Sequence, residues 1–357
     1  MGVRGVVALS VLLVAPLAAA VAHAQEPRIP VKVVVVAMFE LGNDTGDRPG
    51  ELQYWVERKK LDRVLPFPQG YHDLRMNDEG VLAVLTGVGT ARAAATVMAL
   101  GTDPRFDLSR AYWLVAGIAG IDPSDASLGS AAWAEWVVDG DLAHEIDARE
   151  IPPGWATGYV PLRRSVPYEA PKATTDSAEV FRLNGQLVDW AFRLTRDVPL
   201  PESETMREER ALYPEGPARR PPRVLKGDTL SAGTFWIGER LTQWANEWVR
   251  YHTGGQGSYV TSAMEDTGTL QALTFLAKAG RVDVGRVLVL RAGSDFDYPP
   301  PGRTAAEALA RTKIGQYAAY LPALESAYRV GSVVVDRLVQ EWARYRDTTP
   351  TPQDASR

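Results

Sequence analysis

The stretch that decides the fold is Thr261–Asp297, TSAMEDTGTLQALTFLAKAGRVDVGRVLVLRAGSDFD. Met264-Glu265-Asp266 opens an apolar helical pattern through Leu270, Leu273, Thr274 and Ala277, and Gly280 is its stop signal. Val287–Leu290 is then a short β-branched apolar run, as expected of a buried parallel strand. Arg291-Ala292-Gly293-Ser294-Asp295 follows directly. Ligands of open α/β sheets bind outside the carboxyl ends of the strands. The pattern therefore predicts a βαβ crossover with Glu265 at the start of its helix, Asp295 after its second strand, and both acids facing one cleft.

Upstream, Leu230–Ile237 (LSAGTFWI) reads as another strand end, and Gly238–Arg250 as a helix with Trp244 and Trp248 at i,i+4, a packing pair. Downstream, Thr304–Arg346 reads as two helices broken near Pro322 or Gly331, and the polar tail from Asp347 as disordered. In the first half, Val31–Met38 is a buried strand followed by the polar loop Phe39–Gly50. Val81–Thr86 is a second strand, broken by Gly87-Val88-Gly89-Thr90, with Thr90 as cap of a helix over Ala91–Leu100 and Gly101 as its end. Free backbone N–H groups at such a turn suit anions or hydroxyls. Without a third Gly, Gly87 and Gly89 do not make a dinucleotide fingerprint. Ala111–Val115 is a third strand, ending in Ala116-Gly117-Ile118-Ala119-Gly120, where glycine lets the backbone approach a ligand or a neighbouring strand. Ala131–Val138 is a fourth. Residues 150–225 are dense in proline, interrupted by one amphipathic helix, Ser177–Arg196, and read as an insertion on the scaffold without a core of its own.

Residues 1–24 have the pattern of a secretory signal peptide: Arg4, the apolar run Val6–Val21, and Ala22-His23-Ala24 before Gln25. The expected unit after it is a single domain over 25–346 carrying the 150–225 insertion, long enough to bury its own core. A formal charge of -5, or -6 without Arg4, argues against nucleic acid as partner. The absence of cysteine means an exported chain that relies on packing alone. The four histidines show no ligand spacing, so neither a metal nor another cofactor is expected.

These motifs, taken in order, resemble the purine nucleoside permease family, itself similar to a secreted branch of the nucleoside phosphorylase and methylthioadenosine/S-adenosylhomocysteine nucleosidase superfamily. Val36-Ala37-Met38 is similar to the strand end Gly-Ala-Met of the nucleosidases, and Thr86–Ala95 to their S/T-G-x-G-x-x-x-A-A-A turn. Ala116–Gly120 resembles T-G-S-A-G, Gly129–Val138 the V-G-D strand, Ala232–Trp236 the base-binding strand end, Met264-Glu265 the ribose-binding pair, and Arg291–Asp295 the R-x-x-S-D motif. The resemblance implies an α/β fold, a twisted mixed sheet flanked by helices. It implies Glu265 on the ribose hydroxyls with Met264 packed on the sugar, Asp295 with Ser294 at the purine, Phe235 and Trp236 against the base, and Gly87, Gly89 and Gly117 lining the site. Without it, Glu265 reads equally as an acid facing a helix dipole, and Asp295 as a turn residue.

Two positions depart from the pattern. Ile118 stands where a serine hydroxyl is expected, which weakens a phosphate site. Strict register places Leu41 where a water-activating Glu is expected; Glu40, one residue short, is the candidate base, with Asp44 as alternative. Three readings stay open: nucleoside capture for a membrane transporter partner, hydrolysis of the N-glycosidic bond, and, third, phosphorolysis. A homo-oligomer is expected by analogy.

Overall fold

The structure is a computed structural model that describes residues 1–2, 27–169, 179–311 and 316–356. The leader pattern of residues 1–24 falls outside it apart from the first two. Among the described residues, twelve strands form the main sheet: β1 Val33–Ala37, β2 Arg63–Leu65, β3 Leu74–Met76, β4 Val81–Leu85, β5 Tyr112–Ile121, β6 Ala131–Ala134, β7 Trp136–Asp139, β8 Val180–Arg182, β9 Val224–Lys226, β10 Asp228–Ser231, β11 Tyr259–Ala263 and β12 Val287–Phe296. The helices are α1 Gln53–Arg58, α2 Thr90–Thr102, α3 Gly185–Thr195, α4 Glu204–Ala211, α5 Glu239–His252, α6 Asp266–Lys278, α7 Ala305–Arg311, α8 Tyr320–Gln340 and α9 Trp342–Tyr345. The mixed α/β architecture expected from the sequence is what is observed.

The strand order is β8-β7-β10-β11-β5-β1-β4-β3-β2, with β12 branching from β5 to β6, and β6 to β9. Strand β5 is the pivot. One of its edges pairs with β12 along most of its length, in parallel. The other changes neighbour: Tyr112–Val115 pair in parallel with β1, whereas Gly120 and Ile121 pair antiparallel with β11. Between them, among the described residues no strand lies on that edge of 116–119, and the sheet parts there. A gap at a change of strand neighbour is where α/β sheets hold ligands.

Strands β1 and β4 are buried along their whole length, as their unbroken apolar runs require. Helix α8 presents Ala323, Ala327, Val330, Val334 and Leu338 to the core, joined there by Leu187, Val188, Trp190 and Ala191 of α3. The Pro-rich region thus feeds the main core. Helices α2 and α6 pack against each other closely enough that a Cβ on Gly268 would overlap the Thr90 carbonyl, and one on Gly101 the Leu276 side chain. Helix α2 runs one residue past Gly101, to Thr102. Among the described residues no helix is long and apolar enough to cross a membrane.

Several sequence expectations are corrected. β11 runs antiparallel to β5 and β12 parallel to it, so α6 does not join parallel neighbours in a βαβ unit. β12 does not end at Leu290 but runs to Phe296, with a register shift between Gly293 and Asp295, because β5 continues beside it. The run 131–138 splits at Glu135, where Asp228 Oδ1 accepts the N–H groups of Glu135 (3.0 Å) and Trp136 (2.8 Å) that the break frees. The strand at 230–237 ends at Ser231. The helix placed over 177–196 begins only at Gly185, capped by the Asn184 side chain, after the edge strand β8. In the C-terminal region, Pro322 lies in the first turn of α8, where its missing N–H costs nothing, and Gly331 lies inside it against Trp55. In the tail, Pro352–Ser356 forms a 3₁₀ turn, and buried Asp354 accepts from Thr351 N–H and pairs with Arg344.

Candidate functional site

The gap along β5 opens into a cleft with about 530 Å³ of empty space. Its walls come from the end of β1 (Met38, Phe39), from β5 (Ile118, Ala119, Gly120), from the end of β11 (Ser262, Ala263, Met264, Glu265) and from β12 (Ser294, Asp295), with Phe235, Tyr317, Val88 and Glu51 completing them. Of the residues singled out in the sequence, Met264, Glu265, Phe235, Ser294 and Asp295 meet in this one cavity. They arrive on three separate parts of the sheet.

Glu265 is the N-cap residue of α6, but its side chain does not cap that helix. Oε1 accepts the N–H of Gly89 at 3.1 Å, and Oε2 lies 3.3 Å from Arg291 Nη2. Gly89 takes φ +98, which a residue with a Cβ rarely adopts, and so turns its N–H toward Glu265. Thr90 is the first residue of α2, not its cap, and its hydroxyl donates to the Met264 carbonyl at 3.1 Å. The turn 87–90 thus positions the Met264-Glu265 pair. Burial pushes the Glu265 carboxyl up, with Arg291 opposing and Asp266 adding to the rise.

Arg291 is 1% exposed. Its guanidinium donates to Asp266 (2.8 Å from Nη2), to Glu265 and to the Ile118 carbonyl (3.1 Å). It thus serves the acids at the start of α6. A buried guanidinium with this fork of partners holds charge that would otherwise be prohibitive to bury.

Asp295 lies at the bulge of β12 and accepts the Ser294 hydroxyl at 2.7 Å. Burial raises its carboxyl to about 7, with the Ser294 bond opposing. Its neighbour Asp297 is occupied by Tyr259 (2.5 Å) and Ser262 (2.8 Å), both donating. Ser294 also donates to the Ala119 carbonyl at 3.2 Å, tying the base of the cleft to β5.

Glu51 was missed in the sequence. Its carboxylate accepts the N–H of Met38 (2.8 Å) and of Ile118 (2.7 Å) and forms part of the cleft wall. Burial raises it to about 8; Arg291 opposes this and Glu265 adds to it. A Cβ on Gly117 would overlap both Glu51 and Met38, so that glycine makes room for the acid. Thirteen residues separate Glu51 from Met38, and only the folding back of the loop 39–50 brings them together.

The remaining candidates lie outside the cleft wall. Glu40 accepts the N–H groups of Leu41, Gly50, Leu52 and Gln53; its oxygens are used up in holding the turn into α1. Asp44 pairs with Arg75 at 2.6 Å. Trp236 packs on Trp244 and Tyr259. Gly87 abuts Tyr71 and Arg92.

A family model described as purine nucleoside permease matches residues 30–350. The chain belongs to the purine nucleoside permease family. It is 31% identical to a probable purine nucleoside permease of Schizosaccharomyces pombe, over 87% of this chain and 90% of that one. It is 30% identical to a purine nucleoside permease of Candida albicans, over 87% and 75%. Among solved structures, a Helicobacter pylori 5′-methylthioadenosine/S-adenosylhomocysteine nucleosidase variant with 5′-methylthioadenosine in its active site superposes with a TM-score of 0.50 at 14% identity, covering 86% of this chain and 99% of that one. The futalosine hydrolase of the same organism gives 0.50 at 14%, covering 86% and 98%. At such identity the likeness is one of fold, and the fold is that of the nucleosidases.

Proposed function

We propose that the cleft binds a purine nucleoside and that this permease family member captures it outside the cytoplasm for uptake. The observation that carries the reading is the convergence of Glu265, Asp295 and Glu51 with Met264 and Phe235 on one cavity. Glu265, held by Gly89 and Arg291, keeps lone pairs for the ribose 2′- and 3′-hydroxyls, the charge-assisted kind of bond. Met264 packs on the sugar and Phe235 offers a π-face to the base. Asp295 holds a proton to about pH 7 and can donate it to purine N7. Passage across the bilayer is assigned to a separate membrane partner. The leader pattern of residues 1–24 supports export; immunodetection of the tagged full chain in extracellular, membrane and cytosolic fractions tests it.

A second reading, hydrolysis, is favoured by Glu51. Water would attack C1′ and lose its proton to Glu51, while the C1′–N9 bond breaks and Asp295 protonates the departing base at N7. Each Glu51 oxygen already accepts a backbone N–H, from Met38 or Ile118, and the curated relatives are permeases, so capture is the first reading. Phosphorolysis is weaker still, with an apolar Ile118 side chain at the cleft wall.

The test incubates the protein with adenosine, inosine and guanosine, with and without phosphate, and follows base release by chromatography alongside calorimetric titration. Binding without release is expected. Phosphate-independent release abolished by Asp295→Asn would replace capture with hydrolysis, and neither binding nor release would sink the site.

A further inference from the structure

A second cavity, with about 680 Å³ of empty space, abuts the cleft. The two share Asp295 and Tyr317 as walls. None of the sugar-side residues Met38, Glu51, Met264 or Glu265 borders the second cavity. It is bounded by Ile237, two residues beyond Phe235 on the same loop, and by Phe296, Tyr298 and Pro299, which continue the chain past Asp295. Much of this wall is aromatic or apolar: Tyr213 and Phe296 stand with ring centroids 4.4 Å apart, and the Tyr213 hydroxyl is used up on the Tyr298 carbonyl at 2.5 Å. Charge lies toward α7, where Arg303 and Arg311 pair loosely with Glu209.

We propose that this cavity is a subsite for an apolar, aromatic-sized substituent on the 6-position of the purine, so that the preferred ligands are N6-substituted adenosines. The inference rests on the assignment of Asp295 to the base made above. N7 has two neighbours on the purine rim, C8 and the 6-substituent. C8 lies beside the glycosidic bond and the sugar; the 6-position points away from it. A cavity that shares the base acid and touches no sugar-side residue is reached from the 6-position. Its tyrosine and proline walls suit a flat apolar group, and burial of one aromatic ring there gains about tenfold or more in affinity.

The test titrates the protein by calorimetry with adenosine, N6-benzyladenosine and 8-benzylaminoadenosine, using wild type, Ile237→Trp and Ala308→Trp. Both substitutions fill the second cavity, and Ala308 lies on a helix with no buried residue, so that variant leaves the core intact. The expected result is N6-benzyladenosine binding about tenfold more tightly than adenosine, with that gain lost in at least one Trp variant and adenosine affinity unchanged within about twofold. Adenosine bound but N6-benzyladenosine rejected, a preference for the 8-substituted compound, or a gain untouched by both Trp variants would each overturn the subsite while leaving the nucleoside site standing. No binding of any of the three would overturn both.

Discussion

The backbone N–H of Ile118 donates to Glu51 Oε1 at 2.7 Å, a bond that spans 67 residues of sequence. It depends on the part of β5 that has no strand neighbour on one edge, so its N–H is free to meet a side chain. It depends equally on Gly117, whose missing Cβ leaves room for the carboxylate. Through this bond the position contributes its backbone to the site as well as its side chain to the cleft wall.

Glu51 makes stability depend on pH. Its folded value, raised to about 8, lies above the ordinary 4.5, so the folded state holds the proton more tightly than the unfolded chain. The contribution is complete below about pH 4.5 and is lost as pH rises through 8. Glu51→Gln should flatten that decline, with wild type losing several degrees more in Tm between pH 5 and 8.5 than the variant. Thermal melts across that range, read by circular dichroism, check it; parallel curves would refute it.

In the proposed nucleoside site, binding should follow the proton on Asp295: protonated, it would donate to N7; ionised, it would repel that lone pair. Nucleoside affinity should hold steady up to about pH 7 and then fall by up to about tenfold per unit. Asp295→Asn retains a donor without a titrating group, and its affinity should vary little from pH 5.5 to 8.5. Calorimetry at four or five pH values measures both profiles.

Arg291 is the charge on which the site's acids rest. Arg291→Met leaves Asp266 and Glu265 buried and unpaired, and should cost about 3–5 kcal/mol of stability. Urea denaturation gives the value. A loss below about 1 kcal/mol would mean that the acids find other partners or take up protons at little cost.

Gly268 couples helix packing to the cleft. A Cβ there would overlap the Thr90 carbonyl, and the same turn holds Met264 through Thr90 and Glu265 through Gly89. Gly268→Ala should cost about 1–3 kcal/mol through overpacking, and should weaken nucleoside binding although residue 268 does not border the cleft. Denaturation and calorimetry on the same preparation separate the two effects.

The sequence by itself determined the class of fold, because β1, β4 and β12 are apolar runs with turn signals at their ends and α6 is periodic between its flanking strands. It also determined the motifs that carry Met264, Glu265, Ser294 and Asp295, since each is local to one strand end or helix start. Local pattern has no information on which strands pair, so the antiparallel setting of β11, the split at Glu135 and the course of β12 to Phe296 appeared only in three dimensions. The base candidate shows the limit most clearly. Register along the chain fell on Leu41, with Glu40 one residue short as the candidate, and the fold spends Glu40 on four backbone N–H groups. Glu51 reaches the cleft because the loop 39–50 doubles back, and because the gap on one edge of β5 leaves the Ile118 N–H free to receive it. Hydrogen-bonding groups left over by strand pairing are a property of the whole sheet, and so only the tertiary structure could decide which acid they would hold.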